Sequence, residues 1–196
     1  MRLQTAQRAR RTPKARSSGS EAPAQLTLFF YGTLKRGHAN HNLFCRGYSR
    51  LEEATARGRL YHLPSGYPAQ VVPKEDIYAT GTADPIHDAS EQQRLDRAGV
   101  HRSDGALVFG ELFTFDDPEE RLPALDRLEG FDPGRSSLYR RVLIPAETSG
   151  GASVLAWAYV TEESSDDPPA RRTLAVLSWR DKVVKSPVPL PRSPRG

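Results

Sequence analysis

The chain has 196 residues, 37% hydrophobic and 27% charged, with a formal net charge of +4 at neutral pH. That length suits one domain with tails. Sixteen Pro and fifteen Gly favour strands and loops over a helical bundle, and no stretch reaches the roughly 20 apolar residues of a membrane-spanning helix. The basic balance belongs to the ends: residues 1–25 and 180–196 hold 11 of the 28 basic and 2 of the 24 acidic residues, leaving 17 basic and 22 acidic residues between them. A mildly acidic body argues against a specific nucleic-acid groove, which needs a basic face on the folded domain itself.

Residues 1–24 are Arg- and Ser-rich and nearly free of large apolar groups. They bury too little surface to offset ordering entropy and read as a disordered extension. The Arg/Ser-rich, acid-poor composition also suits an organelle transit peptide, but there is almost no apolar face and no apolar centre of a secretory signal. Leu26–Tyr31 reads as a buried strand that stops on Tyr31-Gly32-Thr33-Leu34-Lys35-Arg36-Gly37. Gly32 allows a sharp turn and close approach of a ligand to the backbone. Backbone N–H groups at such a strand end can hold a carboxylate or an oxyanion.

His41–Gly47 contains the end of a short helix, and Ala54–His62 alternates as a strand. Gly66-Tyr67-Pro68 is a turn before a short strand, Ala69–Val72. Residues 74–104 are polar and weakly patterned. They read as an insertion, with a surface helix over Ser90–Ala98. Leu107–Phe115, Tyr139–Pro145 and Val154–Thr161 are further strands, the last two joined by a turn at Thr148–Gly151. Asp117-Pro118-Glu119-Glu120 reads as an N-cap followed by the first turn of a helix. That helix carries Leu122, Leu125 and Leu128 as an apolar stripe and stops at Gly130. Pro123 leaves open whether this is one helix or two. The Leu174–Leu177 run and Trp179 suggest a terminal helix, and residues 186–196 hold four prolines in an extended tail. The expected organisation is a basic extension (1–25), a folded domain (26–180, insertion at 74–104) and a Pro-rich tail (181–196).

Glu129 ends the apolar-faced helix, with Asp126 three residues before it on the same side. The residues alone allow two readings. A carboxylate among leucines has a raised pKa, through desolvation first and a neighbouring acid second, and so trades protons near neutrality; otherwise Glu129 is a solvated acid at a helix end. His38 and His41 have metal-like spacing, but no Cys or carboxylate cluster joins them, so no metal is expected. Cys45, the one cysteine, forms no internal disulfide, which suits a reducing cytoplasm and a small buried residue. Lys35 and Arg36 read as solvated basic groups or as guides for an anion, and Arg140 and Arg141 as partners of acids on the body. Trp157 and Phe113 read as core aromatics.

Seven segments occur in order: Tyr31-Gly32-Thr33-Leu34, Gly58-Arg59-Leu60-Tyr61, Gly66-Tyr67-Pro68, Val108–Phe113, Leu125-Asp126-Arg127-Leu128-Glu129-Gly130, Tyr139-Arg140-Arg141 and Ala156-Trp157-Ala158-Tyr159. Together they resemble the gamma-glutamylcyclotransferase-like superfamily (AIG2-like, or BtrG-like), over residues 26 to about 161. Tyr31–Gly37 followed by Asn40 and His41 looks most like its gamma-glutamylamine cyclotransferase branch.

The resemblance implies an α+β fold, a small mixed, partly closed β-barrel with a few short helices. It implies release of 5-oxoproline and a free amine from a small γ-glutamyl conjugate, with no cofactor. It places the glutamyl head on Tyr31, Gly32, Thr33 and Leu34, the catalytic acid at Glu129, and Tyr139 near the cavity. A departure is the length of 74–104, which suggests a lid or a partner surface. The rival reading is a binding or regulatory module that keeps the pocket without turnover.

Overall fold

The structure, a computed structural model, describes residues 24–63, 66–162 and 172–173. The expected basic extension and Pro-rich tail, together with Leu174–Leu177 and Trp179, lie outside the described residues. Five strands form the body: β1 (Leu26–Phe30), β2 (Arg50–Arg57), β6 (Leu107–Phe115), β7 (Arg140–Thr148) and β8 (Ser153–Val160). Their order is β2-β6-β1-β8-β7, and pairing of β2 with β7 (Ala54 opposite Thr148, Ala56 opposite Ala146) closes the ring. The fold is thus mixed α+β, with a closed five-stranded barrel and a few short helices. A short strand, β5 (Ala79–Thr80), pairs with β7. A second sheet holds β3 (Arg59–His62), β4 (Pro68–Val71) and β9 (Arg172–Thr173).

The two faces of each barrel strand follow from alternation. One face gathers Phe29, Ala54, Ala56, Val108, Leu112, Val142, Ile144, Ala146, Ala156 and Ala158 from all five strands, so it is the barrel interior. A ring this narrow admits mostly small side chains. At Gly110 a Cβ would lie 2.5 Å from the Phe29 ring and 2.6 Å from the Phe30 carbonyl oxygen. The outer face carries Leu28, Phe113, Phe115, Leu143 and Trp157. It packs against α1 (His41–Phe44), α2 (Pro85–Ala98) and α3 (Pro118–Glu129).

Several expectations need correction. The strand expected over 54–62 is two strands, because Gly58 adopts φ +144° and a Cβ there would meet the Val71 carbonyl oxygen at 2.4 Å. The chain therefore leaves the barrel at Gly58 and enters the second sheet. The surface helix expected from Ser90 starts at Pro85, where the Asp84 carboxylate caps the amides of Ile86 and His87. It is no surface element: Asp88 is 1% exposed and Gln92 4%. Gln92 donates to the carbonyls of Thr27 (2.8 Å) and Leu155 (2.8 Å) and accepts from the Thr27 amide. It thereby bridges β1 and β8, whose parallel pairing is confined to Leu28 opposite Trp157. Residues 118–129 form one helix despite Pro123, and Asp117 does not cap it with its side chain. That carboxylate instead grips Arg121 at 2.7 and 3.1 Å. Just before the expected terminal helix, whose residues lie outside the described ones, Arg172–Thr173 pairs with β3.

A buried ion cluster joins these parts. Arg141 on β7 is fully buried, 2.6 Å from Asp88 of α2 and 3.2 Å from Asp126 of α3, and donates to the Thr82 carbonyl at 2.7 Å. Gly81 is required beside it, since a Cβ there would fall 2.4 Å from Arg141 Nε. Removing one partner of such a pair leaves an uncompensated charge in the core. Asp88→Ala therefore lowers unfolding free energy by about 3–5 kcal/mol, measured by urea titration. The triple change Asp88→Leu, Asp126→Asn and Arg141→Met costs less than Asp88→Ala alone, because no orphaned charge remains.

Candidate active site

A cavity of about 470 Å³ opens where the end of β1, the turn before β4, the end of α3 and the segment before β7 meet. Its wall includes Tyr31, Gly32, Thr33, Leu34, Glu129 and Tyr139, the residues to which the resemblance assigns the site. It also includes Asn40, Tyr67, Pro68, Arg127, Leu128, Leu138 and Tyr159, which sequence reading did not assign to a site. Tyr67-Pro68 and Tyr159 stood within recognisable segments. Arg127 and Leu128 also stood within such a segment, and Leu138 carried no signal except its position beside Tyr139.

The loop after β1 is held by its own hydrogen bonds. Lys35 N donates to the Gly32 carbonyl, Asn40 N to the Thr33 carbonyl, and His41 Nδ1 sits 3.1 Å from the Leu34 carbonyl. Asn40 Nδ2 donates to Thr33 Oγ1 at 3.0 Å. The three carbonyls are thus occupied, while the amides of Gly32, Thr33 and Leu34 donate to no other described residue. Gly32 serves packing rather than a left-handed turn. Its φ lies outside the positive region, and a Cβ would stand 2.9 Å from Pro68 Cγ. Lys35 is not a solvated group but 2% exposed, and Arg36 pairs with Glu111 through its amide (2.8 Å) and Nε (3.3 Å). Neither lies on this cavity's wall.

Glu129 is half-buried, and desolvation lifts its carboxyl from 4.5 to about 7. The second cause expected, the charge of Asp126, does not operate. Asp126 turns instead to Arg141 and to the Tyr159 hydroxyl, which donates to it at 2.7 Å. Burial also raises the Asp126 pKa, against the opposing pull of Arg141 and Tyr159.

The tyrosines stay protonated. Burial, with the Glu129 charge adding to it, pushes Tyr139 up to about 12, and burial lifts Tyr31 well above its ordinary value. The Tyr31 hydroxyl donates to the Tyr159 carbonyl at 2.7 Å and accepts from the Gln70 amide; the Tyr139 hydroxyl donates to the Pro68 carbonyl at 3.0 Å. With those protons committed, both hydroxyls face a ligand chiefly as acceptors. Cys45 is buried, and desolvation pushes its thiol up to about 12, so it is no nucleophile at neutral pH.

The family model for gamma-glutamyl cyclotransferase, AIG2-like, matches residues 28–99 and 98–181. The chain belongs to this family. No curated protein gives a significant match. Similar solved structures include YkqA from Bacillus subtilis, 22% identical over 70% of this chain and 36% of that one, with a TM-score of 0.41. At5g39720.1 from Arabidopsis thaliana is 16% identical over 78% of each chain, with a TM-score of 0.45. A gamma glutamyl cyclotransferase from yeast specific to glutathione is 12% identical over 70% of this chain and 69% of that one, with a TM-score of 0.42. Among the described residues of this family member, no helix is long and apolar enough to cross a membrane.

The Glu129 shift has a consequence for stability. Its folded pKa of about 7 exceeds the ordinary 4.5, so the native state binds the proton more tightly than the unfolded chain. Stability therefore falls as pH rises from about 4.5 to about 7 and then levels. The loss is at most about 3 kcal/mol, less for a group that keeps some solvent. Glu129→Gln should raise the melting temperature relative to the wild type at pH 8, and the two should converge as pH falls toward 5.

Proposed function

We propose that the protein is a γ-glutamyl cyclotransferase that releases 5-oxoproline and a free amine from a small γ-glutamyl conjugate, without a metal or cofactor. The observation that carries this reading is one cavity wall holding both a carboxyl poised near pH 7 and the residues of three successive amides that have no acceptor among the described residues.

The substrate's α-ammonium docks near Glu129, with the phenol oxygens of Tyr31 and Tyr139 as acceptors. The Glu129 carboxylate takes one proton, and the freed amine attacks its own γ-carbonyl carbon. A C–N bond forms and the carbonyl becomes an oxyanion. Attack is intramolecular, so the protein's main task is to hold the glutamyl chain folded. The amides of Gly32, Thr33 and Leu34 are the donors available for the oxyanion or the glutamyl carboxylate. Glu129 then hands its proton to the leaving nitrogen and takes the second proton from the attacking nitrogen. The tetrahedral centre collapses, the original C–N bond breaks, and the last proton follows the departing amine. Two protons thus pass from one nitrogen to the other, and Glu129 ends as it began. A carboxyl with a pKa near neutrality gives and accepts with similar ease.

The test is 5-oxoproline release from γ-glutamyl-alanine, glutathione and ε-(γ-glutamyl)-lysine. Glu129→Gln should lower the rate by roughly 10²–10⁴-fold while the protein stays folded. The acid limb of kcat/KM should have its midpoint near pH 7, with activity lost below it, and should vanish in Glu129→Gln. A midpoint near 4.5, or turnover undiminished by the substitution, would sink the reading.

A further inference from the structure

The end of α3 is fastened at one residue. The Asp126 carbonyl accepts from the amides of Gly130 and Phe131, the latter at 2.9 Å, and so closes the helix directly after Glu129. The Asp126 carboxylate reaches the barrel instead. One oxygen accepts from the Tyr159 hydroxyl at 2.7 Å, and the other lies 3.2 Å from an Arg141 nitrogen. Tyr159 and Arg141 are both buried and stand opposite each other on β8 and β7. The carboxylate thus straddles one cross-strand pair. Contacts from two strands fix it in place, where a single contact would leave it free to pivot.

Asp126 is absent from the cavity wall, whereas Arg127, Leu128, Glu129 and Gly130 after it all lie there. Its partner Tyr159 leads to the wall from the other side. The Tyr159 carbonyl accepts from the Tyr31 hydroxyl at 2.7 Å, and both tyrosines line the cavity. Tyr159 therefore holds the acid-bearing helix by its side chain and the Tyr31 phenol by its backbone. The Glu129 side chain makes no hydrogen bond or ion pair with another described residue, so its place is set by the helix end. A displacement of about 1 Å at a reacting group costs on the order of 10²-fold in rate. What holds the end of α3 therefore holds the proton carrier.

We infer that Asp126 is a positioning residue: its carboxylate, gripped by Tyr159 and Arg141, keeps the end of α3 where the Glu129 carboxyl shares the cavity wall with Tyr31 and the loop after β1. This rests on the reading that Glu129 carries the protons of the cyclisation. Asp126 itself touches no substrate and takes no part in the proton transfers.

NMR titration of the glutamate carboxyl carbons in the full chain tests it, the Glu129 signal being the one lost in Glu129→Gln. Two substitutions loosen the grip without changing the charge around Glu129. Tyr159→Phe removes only the hydroxyl, and Asp126→Glu lengthens the arm that carries the carboxylate. Water reaching a loosened helix end relieves desolvation, so the Glu129 midpoint should fall from about 7 to below about 6.5 in both. Asp76→Asn is the control. It disturbs a different buried carboxylate, which accepts from the Ser103 amide and hydroxyl at 2.8 and 2.9 Å and is absent from the cavity wall. It should lower the melting temperature without moving the Glu129 midpoint. In 5-oxoproline release, Tyr159→Phe should lower kcat roughly 10-fold while KM stays within about threefold, because the amides of 32–34 are untouched.

An unmoved midpoint in Tyr159→Phe and Asp126→Glu would overturn the inference. So would an equal fall in Asp76→Asn, which would mark general loosening rather than a hold on the helix end. If one of the two substitutions prevents folding, the other decides. The titration needs no turnover, so the cyclase reading is scored separately, by 5-oxoproline release from the unmodified protein. Release with midpoint and kcat both unchanged in the variants sinks this inference alone. A lowered midpoint without release supports the hold of Asp126 on Glu129 and sinks the cyclase reading.

Discussion

The buried guanidinium of Arg141 is the constraint on which the site geometry depends. It sits on β7 with aromatic rings nearby, 5.4 Å from the Phe131 centroid and 5.5 Å from that of Trp157. Taking a full charge out of water costs several kcal/mol unless opposite charges and good geometry offset it. Here the offsets come from two different helices, Asp88 of α2 and Asp126 of α3. Both helices are therefore fixed to the barrel at defined points along their length. A purely apolar contact would tolerate sliding; an ionic contact with an Arg fork tolerates much less. Asp126 continues the chain outward, because it accepts from the Tyr159 hydroxyl while the Tyr159 carbonyl accepts from Tyr31. One connected polar path thus runs from the outer face of β7 to the wall of the cavity.

That path explains how two acids three residues apart on one helix behave differently. Asp126 is drawn into the cluster, where Arg141 and Tyr159 favour its ionised form against burial. Glu129 has no such partner among the described residues, and desolvation is what raises its pKa. Its position as the last residue of α3, among carbonyls that carry the negative end of the helix dipole, disfavours the anion in the same direction. The pair shows a general arrangement: one carboxylate anchors the helix and the other is left able to exchange a proton. The same division appears in the tyrosines. Their hydroxyl protons are committed to backbone carbonyls, so they fix the wall and keep only lone pairs for a ligand.

How much of this was legible in the sequence follows from the kind of signal each part carries. Leu107–Phe115 and the stripe Leu122, Leu125 and Leu128 had clear periodicity and a glycine stop, and the structure keeps those boundaries. Helix α2 was misjudged as a surface element because its inward face is polar. Asp88 and Gln92 do the work that leucines do elsewhere, so hydrophobic periodicity was absent although the Asp84-Pro85 start was present. Gly58 was read as part of a strand because a single positive φ leaves no periodic trace. Lys35 reads as a solvated group or as a guide for an anion because nothing local says that a lysine is buried. The cavity residues were named through an ordered set of short segments, and the wall does gather them. Arg127, Tyr67 and Leu138 were not assigned, since their meeting depends on how three loops and helix ends converge in space.

The placement of the site at strand and helix ends also has a physical basis. The barrel interior is packed with alanines, valines and the Phe29 ring against Gly110. The outer face packs against helices, and the cavity opens where α3 stops at Gly130 and the chain leaves toward β7. Gly130, in the left-handed region at φ +67°, makes that stop abrupt. The abrupt end leaves the Glu129 carboxyl beside the cavity rather than beneath another helical turn. A longer helix would bury the acid beyond reach of substrate, and a shorter one would leave it in water with an ordinary pKa. The environment of the Glu129 carboxyl is thus set by where a helix ends as much as by which residue ends it.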